Sequence, residues 1–283
     1  MRLFVLGNAN RPGVIKAAER LLPFLKEHAQ VVVFDLQQEA DLGQETADIA
    51  LVFGGDGAIL RAARQMGYQQ IPVLGVNLGK LGFLADLNLD QFEECFPQVA
   101  RGNYQITHHV MLECTFTSPA MKQTVLGLND VVVHTGRSYH VIDLNLFVDG
   151  EPVTRYSGDG LILSTPIGST AHNLSAGGPI LGQELDAFVI TPICSHTLTN
   201  RPVVDSSEKV YTIVLTSGWG DAVLIVDGQE ITPFNTDGQI TVRRAPVTFG
   251  LVKVPGRGYY QTLRDKLHWG QQPNYRAEPR TQE

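Results

Sequence analysis

The 283-residue chain lacks the marks of several large protein classes. It has no run of Lys and Arg: 22 basic residues stand against 29 acidic ones, a formal charge of −7. Affinity for nucleic acid built on a basic face needs clustered cations, so a nucleic-acid partner is not expected. No stretch approaches ~18 uninterrupted apolar residues, and a membrane partner is not expected either. The start, Met1 to Asn8, carries one positive charge and too short an apolar run for a signal peptide, so export is not indicated. The three cysteines, Cys95, Cys114 and Cys194, are odd in number and lack Cys-x-x-Cys spacing. A disulfide framework and a structural zinc site are thereby disfavoured, and buried thiols in a reducing cytoplasm are the simpler reading. Charged residues are few, at 18%, but 43% hydrophobic residues exclude a disordered composition.

What is present is enough chain for roughly two domains at ~150 residues each, and 28 glycines, about a tenth of the chain against a usual ~7%. Residues 1–102 alternate short apolar runs with helical patterns. The runs are Leu3 to Leu6, Val31 to Phe34, Ile49 to Phe53 and Ile71 to Val76. Helical periodicity links Val14, Ala18, Leu21 and Leu25, with Pro12 at the expected start and Pro23 expected to end or kink the helix. Further helices are expected over Ala58 to Met66 and Leu89 to Val99. This pattern predicts a parallel sheet covered on both faces. After the polar turn formers Arg101, Gly102 and Asn103, the period becomes two: Ile142, Leu144, Leu146 and Val148 alternate with less apolar neighbours, and Asp149-Gly150 and Asp227-Gly228 signal turns. The expected fold is an α/β N-terminal Rossmann-like parallel-sheet domain over 1–102 and a β-rich domain over 103–255. A last helix over 256–270 returns to the first domain, and a polar tail over 271–283 is expected to be disordered.

Three glycine-rich segments stand where apolar strands end. Phe53-Gly54-Gly55-Asp56-Gly57 lets backbone approach a ligand closely while the next helix points its amides at an anion. Asp56 is the odd member, because a carboxylate repels phosphate unless it accepts a proton from an attacking hydroxyl or helps hold a divalent cation. Taken alone, the segment is equally a glycine turn with Asp as a helix cap. Asn77-Leu78-Gly79-Lys80-Leu81-Gly82-Phe83-Leu84 follows a neighbouring strand and opens at the same sheet edge, where α/β proteins bind ligands; a plain connecting turn is the alternative. The third segment, Ser157 to Gly178, packs small hydroxyl and glycine residues around an apolar strand and reads as a pocket wall. Asn129-Asp130 offers an amide and a carboxylate suited to a ribose diol, or a turn before a strand. His108 and His109 are adjacent, so on a strand they face opposite sides and share no metal. No His-x-x-x-His or Ser/His/Asp arrangement emerges, and no Gly-x-Gly-x-x-Gly follows the first strand, which disfavours a dehydrogenase.

Together these segments resemble the NAD kinase family over almost the whole chain: GGDG at 54–57, NLGKLGFLAD at 77–86, ND at 129–130, DGLILSTPIGSTAHNLSAGGPIL at 159–181, TPICSHTLTNRPVV at 191–204 and VDGQ at 226–229. GGDG alone also resembles diacylglycerol and sphingosine kinases, and the long 159–181 segment discriminates. An NAD-binding regulator without catalysis is the other alternative. The resemblance implies phosphoryl transfer from ATP, or sometimes polyphosphate, to the 2′-hydroxyl of the adenosine ribose of NAD. It further implies a divalent cation, usually magnesium, a cytoplasmic setting, and a homodimer or homotetramer. Carried over by position, Gly54, Gly55 and Gly57 form the phosphate loop and Asp56 accepts the proton or organises the hydroxyl. Arg61 is a phosphate candidate in the NAD site. Asn129 and Asp130 take adenosine, and Asp159 meets the nicotinamide end. Thr170, Ala171, His172, Asn173, Leu174 and Ser175 wrap adenine and nicotinamide, while His140, Cys194 and Gln229 complete the site. The chain departs from the family at Ala58 (often Thr), Asp130 (often Glu), Ser157 (often Arg), His172 (usually Tyr) and Ser195 (often Pro). These changes bear on substrate preference rather than on phosphoryl transfer.

Overall fold

The computed structural model describes residues 1–79, 82–85, 87–136, 140–217, 222–254, 259–268 and 270. The expected tail at 271–283, Lys80, Leu81 and Asp86 of the 77–86 motif, and residues 256–258 and 269 of the expected last helix lie outside the described residues.

Strands β1 (Arg2–Gly7), β2 (Gln30–Asp35), β3 (Ile49–Phe53) and β4 (Val73–Val76) alternate with helices α1 (Val14–His28), α2 (Asp56–Met66) and α3 (Leu89–Ala100). The strands pair in parallel in the order β2-β1-β3-β4. β3 is buried at every position because helices cover both sheet faces. Leu21 and Leu25 of α1 and Phe92 and Phe96 of α3 pack on one face, and Ile59, Ala62 and Met66 of α2 on the other. α1 does not end at Pro23 and does not start at Pro12: Gly13, at φ 83°, precedes its first residue. Leu21 and Leu25 are 2% and 0% exposed, and burying each contributes about 1.5–3 kcal/mol. Their burial offsets the ~3 kcal/mol cost of an interior proline, so the helix runs through it. α3 begins with a capping box between Asn88 and Gln91.

The chain continues through β5 (Gln105–Thr117), β6 (Lys122–Gly127), β7 (Asp130–Thr135), β8 (Ile142–Val148), β9 (Glu151–Gly158), β10 (Gly160–Ser164) and the single-turn α4 (His172–Ser175). It then forms β11 (Ala187–Ile193), β12 (Val203–Ser206), β13 (Tyr211–Ser217), β14 (Ala222–Val226), β15 (Gln229–Phe234), β16 (Gln239–Lys253) and α5 (Tyr259–Leu267). Six strands form an antiparallel sheet, β12-β11-β10-β7-β14-β15. It stacks on β8 and β13 through a core that includes Leu144, Tyr211, Val131, Leu161 and Phe188. The alternation over 142–148 is the buried and half-buried pattern of β8.

Composition changes at 101–103, but hydrogen bonding does not stop there. β16 joins the parallel strands, Leu251 pairing with Val73 of β4, and it also pairs antiparallel with β5 and β13. The result is a ten-stranded sheet that runs through both halves. Helix α5 touches both as well: the Tyr259 hydroxyl donates to Leu181 O at 3.0 Å, and Lys266 approaches Asp56.

Candidate active site

β3 ends at Phe53, and the backbone turns through Gly54 (φ 137°), where a Cβ would lie 2.7 Å from that of Ala58. Gly55 is the N-cap of α2 and makes no side-chain cap, so Asp56 is the first helical residue and not the cap. Its carboxylate points to a different partner. The N–H of Phe83 donates to Oδ2 at 2.8 Å, and those of Leu84 and Ala85 donate to Oδ1 at 2.9 and 3.2 Å. Three successive amides converge on one anion, a nest closed by the Gly82 N–H to Ala85 O bond of 3.0 Å. Only glycine fits at 82, because a Cβ there would lie 2.0 Å from Asp56 Oδ1. The second glycine-rich segment is therefore no plain connecting turn: it is the cradle of Asp56.

On the other side of the glycine loop lies a cavity of about 340 Å³ lined by Asn8, Arg11, Gly54, Gly57, Arg61 and Asn77 among others. Arg61 Nε is buried with no hydrogen-bond partner. Burial, followed by the charges of Arg11 and Arg64, holds its guanidinium below the ordinary arginine value. Cations gathered beside open amides at a helix N-terminus form an anion site.

The second half of the site is laced to the first. Arg64 Nη2 donates to Val226 O at 3.3 Å, and Ala58, Leu84, Leu128 and Ile167 share one core cluster. Thr165 Oγ1 donates to Leu128 O at 2.6 Å and Ser164 Oγ to Asn129 O at 3.1 Å. The Asp227 carboxylate accepts the N–H groups of Leu128, Asn129 and Asp130 at 2.8, 2.7 and 3.2 Å. Burial, and then the Asp227 charge, push Asp130 up to about 7; burial also raises Asp227. Asn129-Asp130 is thus both a turn before a strand and a pair held beside the 164–178 loop.

Within that loop Asn173 is fully buried and its amide is spent on the fold. It donates to Ser169 O and Pro179 O, each at 3.0 Å, and accepts from Thr191 Oγ1 at 2.6 Å. Thr170, Ala171 and Leu174 are half-buried, and His172 and Ser175 are exposed. Burial, then His134, lower the His172 imidazole. Asp159 lies between β9 and β10, and the exposed Cys194, at φ 46°, donates its thiol to it; that hydrogen bond and the Asp159 charge push the thiol up. Gln229 is exposed at the start of β15, and His140 is exposed ahead of β8.

Arg11 and Lys266 are absent from the expected site, and Phe83 and Asp227, which lie in the 77–86 and 226–229 segments, carry no expected role there; the structure gives the Phe83 amide and the Asp227 carboxylate theirs. The expectation that Asp56 helps hold a cation does not fit its surroundings. Both oxygens face N–H donors and Lys266 Nζ lies 3.9 Å from Oδ2. Among the described residues no group of three His, Cys, Asp or Glu side chains could cage a metal. No described helix is long and apolar enough to cross a membrane.

The family models for the ATP-NAD kinase N-terminal and C-terminal domains match residues 36–104 and 128–254. The NAD kinase of Rhodopirellula baltica is 42% identical over 270 residues, 95% of this chain and 86% of the relative. That of Geotalea daltonii is 40% identical over 256 residues, 90% of each chain. Among solved structures, an NAD kinase from Archaeoglobus fulgidus in complex with ATP superposes with a TM-score of 0.77 at 28% identity, covering 95% of this chain and 99% of that one. Yeast NADH kinase complexed with NADH shares the fold, with a TM-score of 0.86 at 24% identity over 96% and 89% of the two chains. With both domain models matched in order and relatives 40–42% identical over nearly their whole length, the chain belongs to the NAD kinase family.

Proposed function

We propose that the chain transfers the terminal phosphoryl group of ATP to the 2′-hydroxyl of the adenosine ribose of NAD, giving NADP. The observation that carries this reading is the placement of Asp56. One carboxylate is fixed by three amides; its chain neighbours Gly55 and Gly57 line a cavity that holds Arg11 and Arg61, and Leu84 and Ala85 of its cradle share a core cluster with Ile167 of the loop that follows β10. Phosphoryl transfer asks a protein mainly for positioning and charge neutralisation. Arg11, Arg61 and the amides of Gly55 and Gly57 receive the triphosphate, while the Gly54 N–H donates to Val76 O at 2.9 Å and Gly54 serves the turn. Asp56 aligns the hydroxyl and takes its proton as the new O–P bond forms, while the bridging O–P bond breaks and ADP leaves with the bonding electrons. Asn129 and Asp130 hold the adenosine, Asp159 and Cys194 the nicotinamide end, and Thr170 to Ser175 the wall between them. His140 and Gln229 border the same site.

A divalent cation, magnesium, accompanies the triphosphate and supplies charge neutralisation on its oxygens, since such ions bind chiefly to phosphates and water. The working enzyme is a cytoplasmic homodimer or homotetramer that feeds NADP biosynthesis. A coupled assay comparing NAD, NADH and a diacylglycerol as acceptors tests the reading. NADP formation that needs ATP and magnesium is expected. Binding of NAD without turnover, or phosphorylation of the lipid alone, overturns it.

A further inference from the structure

Lys266 belongs to none of the three glycine-rich segments, yet helix α5 carries it to the meeting of the first two, beside Asp56 and Phe83. The helix is anchored by Leu263, 3% exposed, and by the Tyr259 hydroxyl bonded to Leu181 O. Three residues beyond Leu263, the Lys266 ammonium stands 4.2 Å from the centroid of the Phe83 ring and 3.9 Å from Asp56 Oδ2. Phe83 therefore works at both ends: its backbone N–H holds Oδ2 and its ring holds the ammonium. At 3.9 Å the ammonium and the carboxylate are an ion pair without a direct hydrogen bond, so the three ammonium donors remain able to turn towards a third group.

The chemistry gives this placement a purpose. A carboxylate that must receive a proton lies next to a donor of several negative charges, and the two anions repel at close range. Arg11 and Arg61 line the cavity beside the glycine loop, whereas Lys266 is the cation paired with Asp56 among the described residues. We propose that Lys266 is a positioning residue of the phosphoryl transfer, acting through Asp56: its ammonium supplies the compensating charge that lets the carboxylate and the anionic donor occupy one small volume. Helix α5 is then part of the active site rather than a structural appendage. The proposal rests on the NAD kinase reading.

The test uses the full chain and steady-state NADP formation with ATP and NAD varied separately. Lys266→Met keeps the side-chain length and removes the charge; kcat falls about 10–50-fold while KM for NAD stays within about twofold. Lys266→Arg restores a cation that also stacks on an aromatic ring, and brings kcat back to within about threefold of wild type. In an Asp56→Asn background, where the charge to be compensated is gone, Lys266→Met costs less than about threefold more. Wild-type kcat in Lys266→Met, with the unsubstituted chain active, overturns the proposal and leaves the NAD kinase reading intact. So do equal losses in the Met and Arg variants accompanied by a lower thermal midpoint, or losses that multiply fully in the Asp56→Asn background, since each marks a structural role. An unsubstituted chain that makes no NADP overturns both.

Discussion

The two halves of the site spend their polar groups differently. Beside the glycine loop, Arg61 Nε is buried without a partner, and a side chain built at Gly55 or Gly57 would meet nothing within 4 Å. In the 164–178 loop the buried groups are consumed: Asn173 has three partners, and Ser169 Oγ donates to Pro166 O and accepts from the Leu181 N–H. The first arrangement carries an uncompensated cost that a bound anion relieves. The second builds a rigid wall whose outer residues do the touching. Sequence motifs mark both equally, and only the accounting of hydrogen bonds tells binding groups from scaffold.

Substitutions that exchange these roles probe the distinction. Asp56→Asn keeps the shape and two acceptor lone pairs but removes the proton acceptor; kcat falls about 10²–10⁴-fold while NAD still binds, measured by single-turnover kinetics and by NAD titration. Near-normal turnover removes Asp56 from the chemistry. Asn173→Ala strips a scaffold group and orphans Thr191 Oγ1 and two carbonyls; it costs about 3 kcal/mol of stability, read as a lower urea midpoint at unchanged slope. A variant that keeps its stability and loses only NAD affinity would move Asn173 into the binding set. Arg61→Gln is the reverse case. Here kcat/KM for ATP drops about tenfold with no loss of thermal stability, because an unpartnered buried N–H and a like-charge neighbour leave together.

Asp130→Asn has the smallest effect and a gain in stability at high pH. Burial raises the Asp130 carboxyl from 3.8 to about 7, so between these values the folded chain binds more protons than the unfolded one. Its stability therefore falls as pH rises from about 4 to about 7. The Asn variant lacks this dependence and exceeds the parent at pH 8 in urea unfolding, with weaker NAD binding. An unchanged pH profile places the titration elsewhere.

How much of this was legible in the sequence follows from separation along the chain. The glycine loop is a local signal, because strand, turn and helix N-terminus occupy consecutive residues, and 54–57 could be read directly. What the carboxylate of Asp56 does there depends on amides 27 to 29 residues away and a lysine on the last helix. No periodicity reports such contacts. Asp227-Gly228 was readable as a turn, and Asp227 does sit at φ 49°, but its role as the cap of Leu128 to Asp130 depends on a partner about 98 residues off. The helix does not end at Pro23, because the leucines buried around it offset a local penalty that the sequence shows alone. Residues 101–103 marked a real change in pattern, yet the sheet crosses it because β16 returns from far along the chain to lie beside β4.

β16 is 15 residues long, and its two ends serve different neighbours: Leu251 lies beside β4, and Val242 beside β13. The two halves therefore share backbone hydrogen bonding along one strand, whose pairing with β5 shifts register between Arg244 and Thr248. The same strand leads into α5, so the segment that joins the halves is also the one that delivers Lys266 to Asp56.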